Sequence, residues 1–490
     1  MKRWRMNGCL SATWRGAWGI VGVLMLALLP NAMHGQGSSP GRRPRGQGEF
    51  RPPAPAFQTD VPKHEADVIL ARPTDHSVLL SLRVASAGDV VVEHRPLGGA
   101  AWTRVEARGV TPWTPREVLL QGLAPDRRHE YRVSHASPGA AARVVIEGGF
   151  HTARPAGRSF VFTVQADSHL DFGILTERYA QSLSNAVAAS PDFHVDLGDT
   201  FMTDKHAWHE DAAPMYEAQR YWLGLVGRHA PVFMVLGNHD GESAGRGGDG
   251  DAMREWSHGW RTRLFPNPIP DAFYTGNTHP HARMGWPQDY YAWAWGDALF
   301  VALDPFWYSQ RPGRGAGRGA GDGWVRTLGR DQYEWLRRLL ASDRSRHVFV
   351  FIHHLVGGLG KDARGGAEAS RWLEWGGADP DGGPGFAQRR EGWEAPIHEL
   401  LRRRARVVVF HGHDHFFARQ ERDGVIYQMV PQPGHRRGAV QSARDYGYES
   451  GDLLPGSGIL RVRVDPKGFH LDFVGVDGRV LRTERVGDVP

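Results

Sequence analysis

Apolar residues in the first third of the chain come in short alternating runs. SVLLSLRV (77–84), DVVVEHRP (89–96), REVLLQGL (116–123), HEYRVSHA (129–136) and ARVVIEGGF (142–150) are separated by turn residues at regular intervals. A period of two predicts strands, and strands so spaced predict a small antiparallel sandwich. Past Arg158 the pattern changes. SFVFTVQA (159–166), DFHVDLGD (192–199), APVFMVLGNHD (230–240), RHVFVFIHH (346–354) and RARVVVFHGHDH (404–415) are apolar runs of strand length, each ending in a polar burst. Between the first two, DFGILTERYAQSLSNAVAAS (171–190) has helical spacing, with Leu175, Tyr179, Leu183 and Val187 on one face. An all-β unit followed by an α/β unit is the expectation.

Three further stretches carry almost no pattern. GESAGRGGDGD (241–251), RPGRGAGRGAGDG (311–323) and GGLGKDARGGAEA (357–369) read as long surface loops. Residues 38–63 are rich in Gly, Pro and Arg and read as a linker. Ahead of them, Lys2, Arg3, Arg5 and Arg15 precede an apolar core from Ala17 to Leu29, closed by Pro30. Thirteen apolar residues are short for a spanning helix, which needs about 20, and suit the core of a signal peptide. Residues 1–37 are therefore expected to be removed on export, with Gly35-Gln36-Gly37 at the cleavage site. The protein would then be periplasmic, cell-surface or extracellular, with no stable membrane insertion.

The sequence pI of 9.4 suggests nucleic acid until the charge is located. Residues 1–56 hold eight of the 59 basic residues and only Glu49 of the 54 acidic ones, leaving 51 against 53 beyond. The basicity belongs to the leader and linker, so no nucleic-acid groove is implied. The one cysteine, Cys9, lies in the leader, which excludes disulfides and thiolate metal sites from residues 38–490.

The candidate chemistry lies in the bursts: Asp167-Ser168-His169, Gly198-Asp199, Gly237-Asn238-His239-Asp240, His353-His354 and Gly412-His413-Asp414-His415. Carboxyl ends of sheet strands are where α/β folds build sites. Two adjacent divalent ions need a bridging carboxylate, with imidazoles and other oxygens completing each coordination sphere. This chain supplies such a set. His411, His194, His206, His209, His229 and the histidines of HPH (279–281) lack partners by spacing and read as packed or surface residues. The aromatic stretch YYAWAWGDALFVALDPFWY (290–308) reads as the inner face of a hairpin.

In order, D-x-H, G-D, G-N-H-D, H and G-H-x-H resemble the calcineurin-like metallophosphoesterase superfamily, over roughly 160–420. The segment LLQGLAPDRRHEYRVSHA with FHTARPAG resembles the end of a fibronectin type III domain, with Tyr131 in its core and Thr152 near its last strand. Together they imply a fibronectin type III-like sandwich over 64–155 and an α/β four-layer β-sandwich metallophosphoesterase core over 158–480. By the superfamily resemblance, Asp167, His169, bridging Asp199 and His415 hold one divalent ion. Asp199, Asn238, His413 and His353, with His354 as the alternative, hold a second, the metals being Mn, Fe or Zn. His239 would assist phosphate or leaving-group stabilisation, its tautomer fixed by Asp240.

The implied activity is hydrolysis of a phosphate mono- or diester by a metal-activated hydroxide. Purple acid phosphatases also join a fibronectin-like domain to such a core. They carry glycine where this chain has His169 and tyrosine where it has Met202, so a tyrosinate-to-iron absorption band is not expected. The competing reading is a surface carbohydrate-binding protein whose second domain is inert. No ligand of the motif set is missing, which favours the enzyme.

Overall fold

The computed structural model describes residues 56–244, 251–309, 322–360 and 362–488. The leader, most of the linker and parts of all three Gly-rich loops lie outside them. Seven strands come first: β1 (Ala66–Ala71), β2 (Ser77–Val84), β3 (Gly88–Pro96), β4 (Thr103–Val110), β5 (Arg116–Gln121), β6 (Arg128–Ala136) and β7 (Arg143–His151). They form two antiparallel sheets, ordered β1-β2-β5 and β4-β3-β6-β7. Alternate residues such as Val78, Leu80, Leu82, Val90, Val92, Tyr131 and Val133 fill the space between the sheets. Tyr131 is buried, and its hydroxyl donates to the Arg228 carbonyl at 2.9 Å, outside the sandwich.

The rest of the chain builds two larger sheets. Their elements are β8 (Phe160–Gln165), α1 (Thr176–Ala188), β9 (Phe193–Asp196), α2 (Ala213–Gly227), β10 (Val232–Met234), α3 (Ala252–Leu264), β11 (Thr275–Gly276), β12 (Tyr291–Trp295) and β13 (Ala298–Ala302). Then come α4 (Arg330–Ser342), β14 (His347–Phe351), α5 (Leu373–Gly376), α6 (Phe386–Arg389), α7 (Ile397–Arg402), β15 (Val407–His411), β16 (Phe417–Arg422) and β17 (Val425–Met429). β18 (Asp452–Leu454), β19 (Gly458–Asp465), β20 (Gly468–Gly475) and β21 (Val480–Gly487) close the chain, so the last sheet runs past residue 480. One sheet has the order β10-β9-β8-β19-β20-β21, the other β11-β12-β13-β14-β15-β17-β16-β18.

The two sheets face each other across an aromatic core that includes Phe162, Phe193, Phe300, Phe349, Phe351 and Phe410. Period-two alternation sends the intervening residues outward. Val348 and Val350 of β14, with Val407 and Val409 of β15, pack under α4 and α7. On the far side, α1 and α2 cover the first sheet through Tyr179, Leu183, Met215 and Leu223. The result is four layers, helix, sheet, sheet and helix. The 290–308 aromatics do form a hairpin, β12 with β13, and Trp293 and Trp295 lie in the central core. Those rings offer no carbohydrate platform.

A buried ion network joins the seven-strand sandwich to the four-layer unit. Asp67 of β1 accepts from Arg83 of β2 at 2.7 Å and from Arg220 of α2 at 2.7 Å. Arg220, with none of its side chain exposed, also donates to the Ser81 and Leu264 carbonyls. Just ahead of β1, the Gln58 amide donates to the Leu170 carbonyl at 2.7 Å, and its side chain reaches the carbonyls of Asp171 and Ile174. Among the described residues no helix is long and apolar enough to cross a membrane.

Candidate metal centre

β8, β9 and β10 run parallel side by side, as do β14 and β15 in the facing sheet. Their carboxyl ends therefore open at one edge of the double sheet, where all five bursts meet. Two clusters result, Asp167 with His169 and His415, and Asp199 with His353 and His413. Within each, the candidate ligand atoms lie within 4.8 Å of one another. The clusters adjoin. Asp167 Oδ1 lies 3.6 Å from His169 Nε2, 3.3 Å from His415 Nε2 and 3.9 Å from His353 Nε2. Asp199 Oδ2 lies 3.2 Å from His353 Nε2 and 3.9 Å from His169 Nε2, so it faces both groups.

The backbone is bent to achieve this. Asp167, His169, Asp199, His413 and His415 hold φ of 58°, 47°, 54°, 77° and 71°, a left-handed region that non-glycine residues rarely occupy. Two glycines permit the close approach. A Cβ on Gly237 would stand 2.0 Å from the Asp199 amide nitrogen, and one on Gly412 would stand 2.6 Å from Asp167 Oδ2. Asn238 lies in the turn after β10, where the neighbouring His239 amide donates to Asp199 Oδ1 at 2.8 Å.

The protein's hydrogen bonds orient the imidazoles. His353 Nδ1 bonds the Leu197 carbonyl at 2.9 Å, which turns Nε2 toward Asp199. His413 Nε2 bonds the Asp362 carbonyl, leaving Nδ1 for the cluster. His354 falls outside both clusters, its Nδ1 on the Leu355 carbonyl. His411 is buried and also outside them. Asp414 turns away, accepting from Arg364 at 2.9 Å, the Gly365 amide at 3.0 Å and the Tyr448 hydroxyl at 2.8 Å.

The electrostatics are those of a concentrated negative charge. Burial raises the Asp167 carboxyl, but the neighbouring His415, His353 and His169 imidazoles outweigh it and hold it well below the usual range. Asp199 is held down in the same way by His353 and His239 against burial. Burial lowers His169 and His353, yet their carboxylate neighbours prevail and push them up to about 10 and about 9. Asp167 Oδ1, His169 Nε2 and His353 Nε2 are nevertheless buried without a hydrogen-bond partner. Convergent, unpartnered oxygen and imidazole donors beside two carboxylates fit divalent cations.

One expectation fails. Asp240 does not orient His239; its carboxylate instead accepts the amides of Gly237 at 2.7 Å, Asp199 at 3.1 Å, Thr200 at 2.8 Å and Phe201 at 2.8 Å. Adjacent residues on a tight turn point apart, and the nearest unmet donors beside Asp240 are those amides. Burial and the Asp199 charge push its carboxyl up to about 6. Asp204 is the group on His239 Nδ1, at 2.9 Å, and its pairing was invisible to motif spacing. His239 Nε2 stands 4.0 Å from Asp199 Oδ2.

The fold is mixed α/β with two facing sheets, and two solved structures share it. Purple acid phosphatase PPD1 from yellow lupin (Lupinus luteus) seeds superposes with a TM-score of 0.57 at 13% identity, over 86% of this chain and 74% of its own. PhoD superposes at 0.56 with 14% identity, over 86% of this chain and 88% of its own. No protein-family model matches the chain, and no curated protein matches it by sequence.

Proposed function

We propose that the protein is an exported binuclear-metal phosphoesterase. The observation that carries this is Asp199 Oδ2 facing both the His169 and the His353 imidazoles at the meeting point of two metal-type clusters. Asp167, His169, Asp199 and His415 would hold one ion, and Asp199, Asn238, His353 and His413 the other. Oxygen and nitrogen donors without thiolate suit Mn, Fe or Zn. Bound there, the ions would supply Lewis acidity toward a phosphoryl oxygen and lower the pKa of a coordinated water to about 7.

The chain's own residues do the rest. Asp204 holds His239 Nδ1, which leaves Nε2 as the atom that steadies the departing oxygen and gives it a proton. Gln432 Nε2 donates to the Asp167 carbonyl at 3.0 Å, keeping that strand end in place. The 64–155 sandwich would be a fibronectin type III-like domain, a reading supported by its seven strands in sheets of three and four. Export rests on the leader from Ala17 to Leu29.

The test is hydrolysis of p-nitrophenyl phosphate and bis(p-nitrophenyl) phosphate by manganese-loaded protein. Turnover of at least one ester, abolished in Asp199→Ala with folding intact, is the expected result. Equal rates in Asp199→Ala would remove the two-metal scheme.

A further inference from the structure

The run LLRRRAR (400–406) carries α7 into β15, as DRSR (343–346) carries α4 into β14. β14 and β15 are parallel, so both runs lie at the amino ends of these strands, opposite the edge where the bursts meet. A cleft of about 260 Å³ opens there between α4 and α7. Its charged walls are Arg337, Arg344, Arg403 and Arg404, with Glu394 as the one carboxylate. Leu340 and Leu400, both buried, give it an apolar side.

The four guanidinium groups are not equally engaged. Arg404 closes the end of α4, donating to the Leu340 and Ser345 carbonyls at 2.8 and 2.9 Å and to Asp343 Oδ1 at 3.0 Å. Arg337 pairs with Glu334 at 3.0 Å and with Glu394 at 3.2 Å, and Arg403 reaches the other Glu394 oxygen at 2.5 Å. Arg344 pairs with no carboxylate among the described residues. Its Nη1 donates to the Ala341 and Asp343 carbonyls at 2.8 and 3.1 Å, which steadies the fork and leaves Nε and Nη2 uncommitted. Even with Glu334 and Asp343 counted beside Glu394, the cleft keeps one cation beyond its carboxylates. A helix end draws a cation to its last carbonyls, a part that Arg404 already fills. Arg344 and Arg403 are both exposed.

We propose that this cleft is a second binding site, separate from the metal centre, for a small organic phosphate. Arg344 and Arg403 hold the phosphate, since guanidinium forks bond its oxygens in pairs and the charge strengthens each bond. Leu340 and Leu400 take the carbon part, whose burial adds affinity. The volume sets the size. Pockets for drug-sized ligands start at about 300 Å³, so this one suits a phosphate carrying a few carbons rather than a nucleic-acid strand. The site is independent of the phosphoesterase reading.

Butylphosphonate is the probe, because its carbon–phosphorus bond leaves no ester for the metal centre to cleave. Titration calorimetry compares full-length, manganese-loaded wild type, Asp199→Ala, and Asp199→Ala carrying Arg344→Gln or Arg403→Gln. Asp199→Ala takes away the carboxylate that faces both clusters, so binding that survives there belongs elsewhere. Asp199→Ala is expected to bind butylphosphonate at least about tenfold more tightly than orthophosphate, through the butyl chain. Adding Arg344→Gln or Arg403→Gln should weaken butylphosphonate at least about tenfold. Flotation with phosphatidic acid vesicles separates the sources of such a ligand: flotation displaced by butylphosphonate means a lipid headgroup, and no flotation a free ester.

No butylphosphonate binding to wild type, binding lost in Asp199→Ala alone, or equal affinity with and without the arginine substitutions would each overturn the proposal. Arg344→Gln in otherwise wild-type protein covers the case in which Asp199→Ala fails to fold. There, one bound butylphosphonate per chain should weaken at least about tenfold, and an isotherm identical to wild type refutes the site.

Discussion

The role that motif spacing assigns to Asp240 falls to Asp204, and side-chain chemistry separates the two aspartates. Asp240 closes four backbone amides over the turn that carries Asp199, whereas Asp204 grips an imidazole. Asp204→Asn should therefore lower kcat about 10- to 100-fold while leaving the melting temperature near wild type. Asp240→Ala strands buried amides and should cost several kcal/mol, about 1–3 for each amide left unpaired. Steady-state kinetics beside thermal melts separate the two, and a kcat loss without a stability loss in Asp240→Ala would reverse the assignment. Gly237 has a purely steric part. Its Ala variant drives a methyl into the Asp199 amide and should lose about 3 kcal/mol or more, together with metal retention, by calorimetry and elemental analysis.

At the scale of elements, legibility followed burial. β8, β14 and β15 were plain in the sequence because sheets covered on both faces demand uninterrupted apolar residues. β4, with TRVEARGV mostly exposed, gave no such signal, and β1 was hidden beside the linker. The candidate ligands were legible because each follows its strand at once. The Asp204–His239 pair was not, since 35 residues of chain separate partners that only the folded turn brings together. β9 carries a further consequence. His194 is buried, its Nδ1 bonds Thr163 Oγ1 at 2.8 Å, and burial pushes its pKa down to about 3. Unfolded, the same imidazole titrates near 6.5. Its contribution to stability is thus full above pH 6.5 and is lost as pH falls toward 3, by up to about 1.4 kcal/mol per pH unit. Chemical denaturation between pH 7 and 4 should show that slope, reduced by one proton's worth in His194→Gln.

The whole molecule is held together by charge as well as by apolar packing. Removing Asp67 would leave Arg83 and Arg220 facing each other without their shared carboxylate, and Asp67→Ala should cost about 3–5 kcal/mol. Since that network spans both units, scanning calorimetry of wild type should show one transition, and two would mean that the sandwich melts independently. Gln58 extends the dependence to the site itself. It lies ahead of residue 64, where the sandwich begins in the sequence reading, yet its amide and side chain bind the loop whose Asp171 stands 3.5 Å from His169. A truncation placed at that boundary would keep every strand and every candidate ligand. It would also remove the brace from the first cluster, so a shortened protein that folds but turns over poorly would be reporting on its cut site rather than on its chemistry.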